Sequence, residues 1–90
     1  MKLHARRWYI DGRVQGVGFR YFAQARALEV GLRGWARNLE DGRVEVYATG
    51  TDQQLDEFRG AVHTGPRLAE VRGVEEMEAG PEGHTGFSVR

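Results

Sequence analysis

The sequence predicts an α+β sandwich in which two helices cover one face of an antiparallel sheet, in the order β-α-β-β-α-β with a short C-terminal strand. Three observations predict it. Residues 7–14 and 86–90 alternate apolar and polar residues with the period of a half-buried strand, and 34–39 and 43–49 read as two strands around a tight turn. Two stretches between them repeat apolar residues at helical spacing. Glycine clusters and one Asp-Gly pair mark the joins.

In the first strand Trp8, Ile10, Gly12 and Val14 alternate with Arg7, Tyr9, Asp11 and Arg13. The helix that follows carries Phe19, Phe22, Ala23, Ala27 and Val30 on one side, with Gln24 and Glu29 away from it, and stops at Gly31. Arg26 falls inside that apolar arc, tolerated if its stem lies flat and its head reaches water. Gly34 to Leu39 and Arg43 to Thr49 form a hairpin around Asp41-Gly42, whose φ preferences suit a tight turn. Trp35 and Tyr47 read as packing residues. Thr51 and Gln54 have the spacing of a capping box, and Leu55, Phe58 and Val62 then make an apolar stripe that ends before Gly65-Pro66. Leu68 to Glu78 holds a strand around Val71, Gly80 to Gly86 is a loop, and Phe87 and Val89 alternate to the end. This element order gives the ferredoxin-like arrangement. If strand three pairs with both strand one and strand two, those two run parallel, and their carboxyl ends share one edge of the sheet.

The 90 residues correspond to one small domain, 1–90, with a modest core. There is no cysteine, which excludes a disulfide framework, a thiolate nucleophile and a thiolate metal site. The opening segment Met1 to Tyr9 is basic without a long apolar stretch, and no other run reaches the length of a membrane span. A cytoplasmic protein without membrane contact is expected. Net charge is zero, yet residues 1–43 hold nine Lys or Arg against four Asp or Glu, and residues 44–90 reverse that ratio. A positive half would attract a small anion, whereas nucleic-acid binders usually add net basic charge.

The chemistry concentrates in Gly12-Arg13-Val14-Gln15-Gly16-Val17-Gly18-Phe19-Arg20, at the join of the first strand and first helix. Glycine takes positive φ at little steric cost, so consecutive main-chain N–H groups can turn toward one point. The helix start adds unpaired N–H groups and the positive end of its dipole, and Arg20 adds a planar fork of donors suited to two phosphate oxygens. Asn38, the only asparagine, falls at the end of the second strand and so at the same sheet edge. Its amide can orient a water without titrating, although asparagine before a hairpin can also bond its own turn.

Other chemistry finds little support. Ser88, the sole serine, has no evident base. His4, His63 and His84 are dispersed without zinc-site spacing, so no metal is expected. Glu75, Glu76 and Glu78 read as a solvated strand edge that discourages sheet-to-sheet association.

The nine-residue motif, followed by Gly34-Trp35-Ala36-Arg37-Asn38 and Asp41-Gly42, resembles the acylphosphatase family over nearly the whole chain. The resemblance implies metal-independent, cofactor-free hydrolysis of a carboxyl-phosphate anhydride, with water attacking phosphorus to give a carboxylate and inorganic phosphate. By the same resemblance Arg20 binds the phosphate, the main-chain amides of Gln15, Gly16, Val17, Gly18, Phe19 and Arg20 form the cradle, and Asn38 positions the water. The expected partner is a small acyl phosphate, met by a monomer without nucleic acid. The alternative is a non-catalytic ferredoxin-like module for RNA or protein, with Tyr9 and Tyr47 as candidate base-stacking groups.

Overall fold

The computed structural model describes residues 2–90, leaving Met1 of the basic opening segment outside the described residues. Seven elements follow in order: β1 (His4–Arg13), α1 (Phe19–Val30), β2 (Arg33–Asn38), β3 (Val44–Gly50), α2 (Asp52–Thr64), β4 (Glu70–Ala79) and β5 (Phe87–Val89). The sheet order is β4-β1-β3-β2-β5. Central β3 is antiparallel to both β1 and β2, which therefore run parallel to each other. The expected α+β, ferredoxin-like arrangement is present with one refinement: β5 pairs parallel with β2, so the sheet is mixed.

Alternation decides which residues meet the helices. Trp8 and Ile10 of β1, Ala36 of β2 and Val44, Val46 and Ala48 of β3 form one core with Phe19, Ala23 and Ala27 of α1 and Leu55, Phe58 and Val62 of α2. Each fully buried large apolar side chain contributes about 1.5–3 kcal/mol relative to exposure. Phe58 meets Trp8 edge to face at 5.4 Å. Arg26 stays on the exposed surface of α1, where it pairs with Glu29 at 2.8 Å. The other sheet face is not bare. Trp35 and Tyr47 stack there at 5.7 Å, and the Tyr47 hydroxyl donates to Gly80 O (2.8 Å) and accepts from Glu82 N (2.6 Å) in the segment that crosses them. Beside them Glu45, only 2% exposed, lies between the Arg7 and Arg37 guanidiniums. All seven residues of β3 are buried as a result.

Folding also brings the two oppositely charged halves together. Arg6 pairs with Asp56 (2.8 Å), Arg7 and Arg37 with Glu45, and Arg59 with Glu76 (3.1 Å). The sequence asymmetry therefore does not become a uniformly positive half, because much of the basic charge of β1 and β2 is neutralised locally. The acidic stretch in β4 also differs from a purely solvated edge. Glu76 faces inward, accepting from Trp8 Nε1 at 2.7 Å, while Glu75 and Glu78 are exposed.

A bulge between Asp11 and Gly12 shifts the register of the β1·β4 ladder, which continues through Gly12 and Arg13 to the start of the loop. Gly12 has φ +124°, and a Cβ there would meet the Glu70 carbonyl oxygen at 2.2 Å. That neighbour is backbone and cannot rotate away. Gly12→Ala is therefore expected to destabilise the fold by more than about 1 kcal/mol, read as a lowered denaturation midpoint. An unchanged midpoint would show that the bulge relaxes freely.

Candidate active site

The two helices of this chain begin in opposite ways. At α2, Thr51 Oγ1 accepts from Gln54 N (3.2 Å), Gln54 Oε1 accepts from Thr51 N (2.9 Å), and Asp52 supplies negative charge in the first turn. Its N-terminal donors are thus partly satisfied internally. At α1 the cap residue is Gly18, φ +79°, with no side-chain hydrogen bond and no acidic residue in the first turn. Gly16, two residues earlier, has φ +73°. The main chain from Gln15 to Gly18 is irregular between β1 and α1, as a strand-to-helix turn through two left-handed glycines requires. The result is a helix start with its amides and dipole uncompensated, the ordinary physical basis of an anion site.

Arg20 lies in the first turn of α1 and is half-buried. Its Nη1 donates to the main-chain oxygen of Arg90 at 2.7 Å. Among the described residues no Asp or Glu side chain pairs with it, in contrast to Arg6, Arg7 and Arg37. Arg90 is itself fixed: its N–H donates to Ala36 O (2.9 Å), extending the β2·β5 pairing, and its guanidinium lies 4.6 Å from the Trp35 ring centroid. Arg20 is thereby tied to β2 two residues before Asn38.

Asn38 ends β2, opposite Val44, the residue that also faces Ile10 of β1. It shares the parity of Ala36, whose side chain faces the helices. The turn after it does not use its amide. Arg43 N donates to Asp41 Oδ1 at 3.1 Å, a bond that holds the Asp41 carboxyl below the usual carboxylate range, and Arg43 Nε reaches Asp41 Oδ2 at 2.8 Å. Gln15 Nε2 donates to both Leu39 O (2.8 Å) and Arg43 O (3.0 Å). Among the described residues Asn38 forms no side-chain hydrogen bond to the turn.

The glycine loop, Arg20 and Asn38 therefore occupy one end of the sheet, linked from both sides: Arg20 through Arg90 to Ala36, Gln15 to Leu39. Two contributors escape a reading of residue types, the Gln15 side chain and the Arg90 main-chain oxygen, because their partners are carbonyl or guanidinium groups far away in sequence. Among the described residues no group of three or more His, Cys, Asp and Glu is arranged to hold a metal ion. Among the described residues no helix is long and apolar enough to cross a membrane.

An α+β sandwich with an uncapped, glycine-led helix start and an adjacent guanidinium defines a small domain with a site suited to a phosphate-like anion. The family model for acylphosphatase matches residues 6–89. The chain is 56% identical to an acylphosphatase of Solibacter usitatus, covering 96% of this chain and 90% of that protein. It is 52% identical to an acylphosphatase of Archaeoglobus fulgidus, covering 90% and 91% respectively. The crystal structure of acylphosphatase from Bacillus subtilis superposes with a TM-score of 0.93 at 43% identity over 99% of both chains. The chain belongs to the acylphosphatase family, and it is an acylphosphatase, a hydrolase.

Proposed function

We propose that Arg20, Asn38 and the main-chain amides of Gln15, Gly16, Val17, Gly18, Phe19 and Arg20 carry the hydrolysis of acyl phosphates in this chain, without a metal or cofactor. The phosphoryl oxygens sit against the α1 start, where main-chain donors and dipole favour negative charge. Arg20 offers its remaining donors to two of those oxygens and spreads the charge that builds during transfer. Asn38 holds a water in line with the departing acyl oxygen.

Little more is needed. The new bond forms between the water oxygen and phosphorus, and the bond from phosphorus to the acyl oxygen breaks. The leaving group is a carboxylate whose conjugate acid has a pKa of roughly 4, so it departs without a proton. The water's proton passes to a phosphoryl oxygen, and the products are a carboxylate and inorganic phosphate. The observation that carries this reading is the contrast between the two helix starts: α2 is closed by its own capping box, and α1 is left open beside Arg20, which among the described residues pairs with no carboxylate side chain.

The same proposal describes residues 1–90 as one domain acting as a cytoplasmic monomer on free acyl phosphate, without nucleic acid. The fold offers little to the alternative of a base-stacking module. Tyr47 is fully buried, and Arg43 lies over the Tyr9 ring, 4.9 Å from its centroid. Purified protein incubated with benzoyl phosphate is expected to consume the anhydride at the same rate with and without EDTA. A rate abolished by chelation and restored by a divalent ion would overturn the metal-free mechanism, and a well-folded but inactive protein would overturn the site assignment.

A further inference from the structure

We propose that the Gln15 side chain is a positioning element that sets the placement of Asn38 relative to the phosphate cradle. This inference rests on the reading of Asn38 as the water-orienting group. The main-chain N–H of Gln15 belongs to the proposed cradle, but its side chain does something separate. It leaves the loop and donates both amide hydrogens across the sheet end, to Leu39 O at 2.8 Å and Arg43 O at 3.0 Å.

Those two carbonyls define the mouth of the β2–β3 hairpin. Leu39 N also donates to Arg43 O (2.8 Å), and Gly42 N to Leu39 O (3.2 Å). Each oxygen has two lone pairs and can accept both bonds. Leu39 N lies in the peptide unit it shares with Asn38 and is held by Arg43 O, one of the two Gln15 acceptors, while the bond to Leu39 O holds the next peptide unit, Leu39–Glu40. The ladder to Val44 fixes the strand on the other side. Gln15 is thus the direct side-chain tie between the cradle and the strand end that carries the carboxamide.

The chemistry of the contact selects this residue type. Two carbonyl acceptors require a group with two donors, which the glutamine amide supplies. Glutamate would direct a carboxylate at two carbonyl oxygens. Asparagine is one methylene shorter, and methionine has similar length without donors. Hairpins hinge easily at their turns, so without this tie the Asn38 end of β2 moves with the hairpin rather than with the loop. A displacement on the order of 1 Å of a positioning group can cost about 10²-fold in rate.

The test is a double-mutant cycle with Gln15→Met and Asn38→Ala, measured by steady-state hydrolysis of benzoyl phosphate and by competitive inhibition with inorganic phosphate. Gln15→Met keeps the apolar volume and leaves the main chain of the cradle in place. It is expected to lower kcat by about tenfold or more, with the phosphate inhibition constant held within about twofold. In the Asn38→Ala background the same substitution is expected to have almost no further effect, because the group it positions is gone. The proposal is overturned by an unchanged kcat in Gln15→Met, by an equal fold-loss in both backgrounds, or by phosphate inhibition weakening in step with kcat, since the last would place Gln15 in shaping the cradle alone. Gln15→Ala serves as a second variant, and thermal denaturation of both shows whether lost rate is lost fold; a loss of rate that follows only the unfolded fraction also overturns the proposal. Failure of the underlying reading looks different: Asn38→Ala alone would then retain full activity whatever Gln15→Met does.

Discussion

Asn38→Ala is expected to lower kcat for benzoyl phosphate by about 10²-fold or more, while KM and inhibition by inorganic phosphate stay within about twofold of the unsubstituted protein. The split follows from where the residue acts. Phosphate binding is assigned to the α1 start and Arg20, and neither changes when the Asn38 side chain is removed. Only the attacking water loses its holder, and that interaction matters most as water approaches phosphorus. Stability should change little, because Asn38 is exposed and forms no side-chain hydrogen bond to the turn among the described residues. Asn38→Asp sharpens the expectation: it keeps size and an acceptor, loses both donors, and places negative charge beside an incoming dianion, so it is expected to raise KM as well. Equal turnover in Asn38→Ala and the unsubstituted protein would remove this residue from the mechanism.

Particular residues show what the sequence could reveal. The capping box at Thr51 and Gln54 was legible because it is local: two residue types at fixed spacing make two bonds within one helical turn. The Asp41-Gly42 hairpin was legible for the same reason. The shared edge of the loop and Asn38 followed from topology once β3 was placed between β1 and β2. Strand β4 was harder. Its half-buried positions toward the helices run Val71, Val74, Glu76, with Ala79 on the other face, and the step of three from Val71 to Val74 arises where the ladder to β1 shifts register between Asp11 and Gly12. A period of two is lost at such a step, and an inward glutamate then looks like part of a solvated edge. In fact Glu76 is held by the Trp8 indole N–H.

The least legible parts of the site are those whose partners are main-chain atoms. Gln15 bonds carbonyls 24 and 28 residues later, and Arg20 bonds the main-chain oxygen of Arg90, 70 residues away. A main-chain oxygen carries no residue identity, so no pairing of residue types in the sequence marks these contacts. Charge misleads in the same way. The basic bias of residues 1–43 hints at a positive half, but the sheet threads acidic positions of the second half among those arginines. What survives folding is more local and more useful: a guanidinium without a carboxylate side-chain partner, beside a helix start without a cap.

Arg20→Ala is expected to reduce kcat/KM by roughly 10- to 150-fold, the equivalent of losing a charged hydrogen-bonding partner worth about 1.5–3 kcal/mol. Both parameters should move. The ground-state phosphate already carries negative charge, so losing the guanidinium raises KM; charge redistributes over the phosphoryl oxygens during transfer, so turnover falls too. Inhibition by inorganic phosphate should weaken alongside KM, which distinguishes this variant from Asn38→Ala. Arg20→Lys separates charge from geometry. Lysine keeps the cation and can still donate to Arg90 O, but it cannot offer a planar fork to two oxygens, and an intermediate loss is expected. Raising the salt concentration should weaken phosphate inhibition more in the unsubstituted protein than in Arg20→Ala, because a half-buried cation is partly screened by salt and a missing one cannot be. Phosphate inhibition unchanged by Arg20→Ala would show that the α1 main chain binds the anion alone and would leave Arg20 with the single task of holding Arg90.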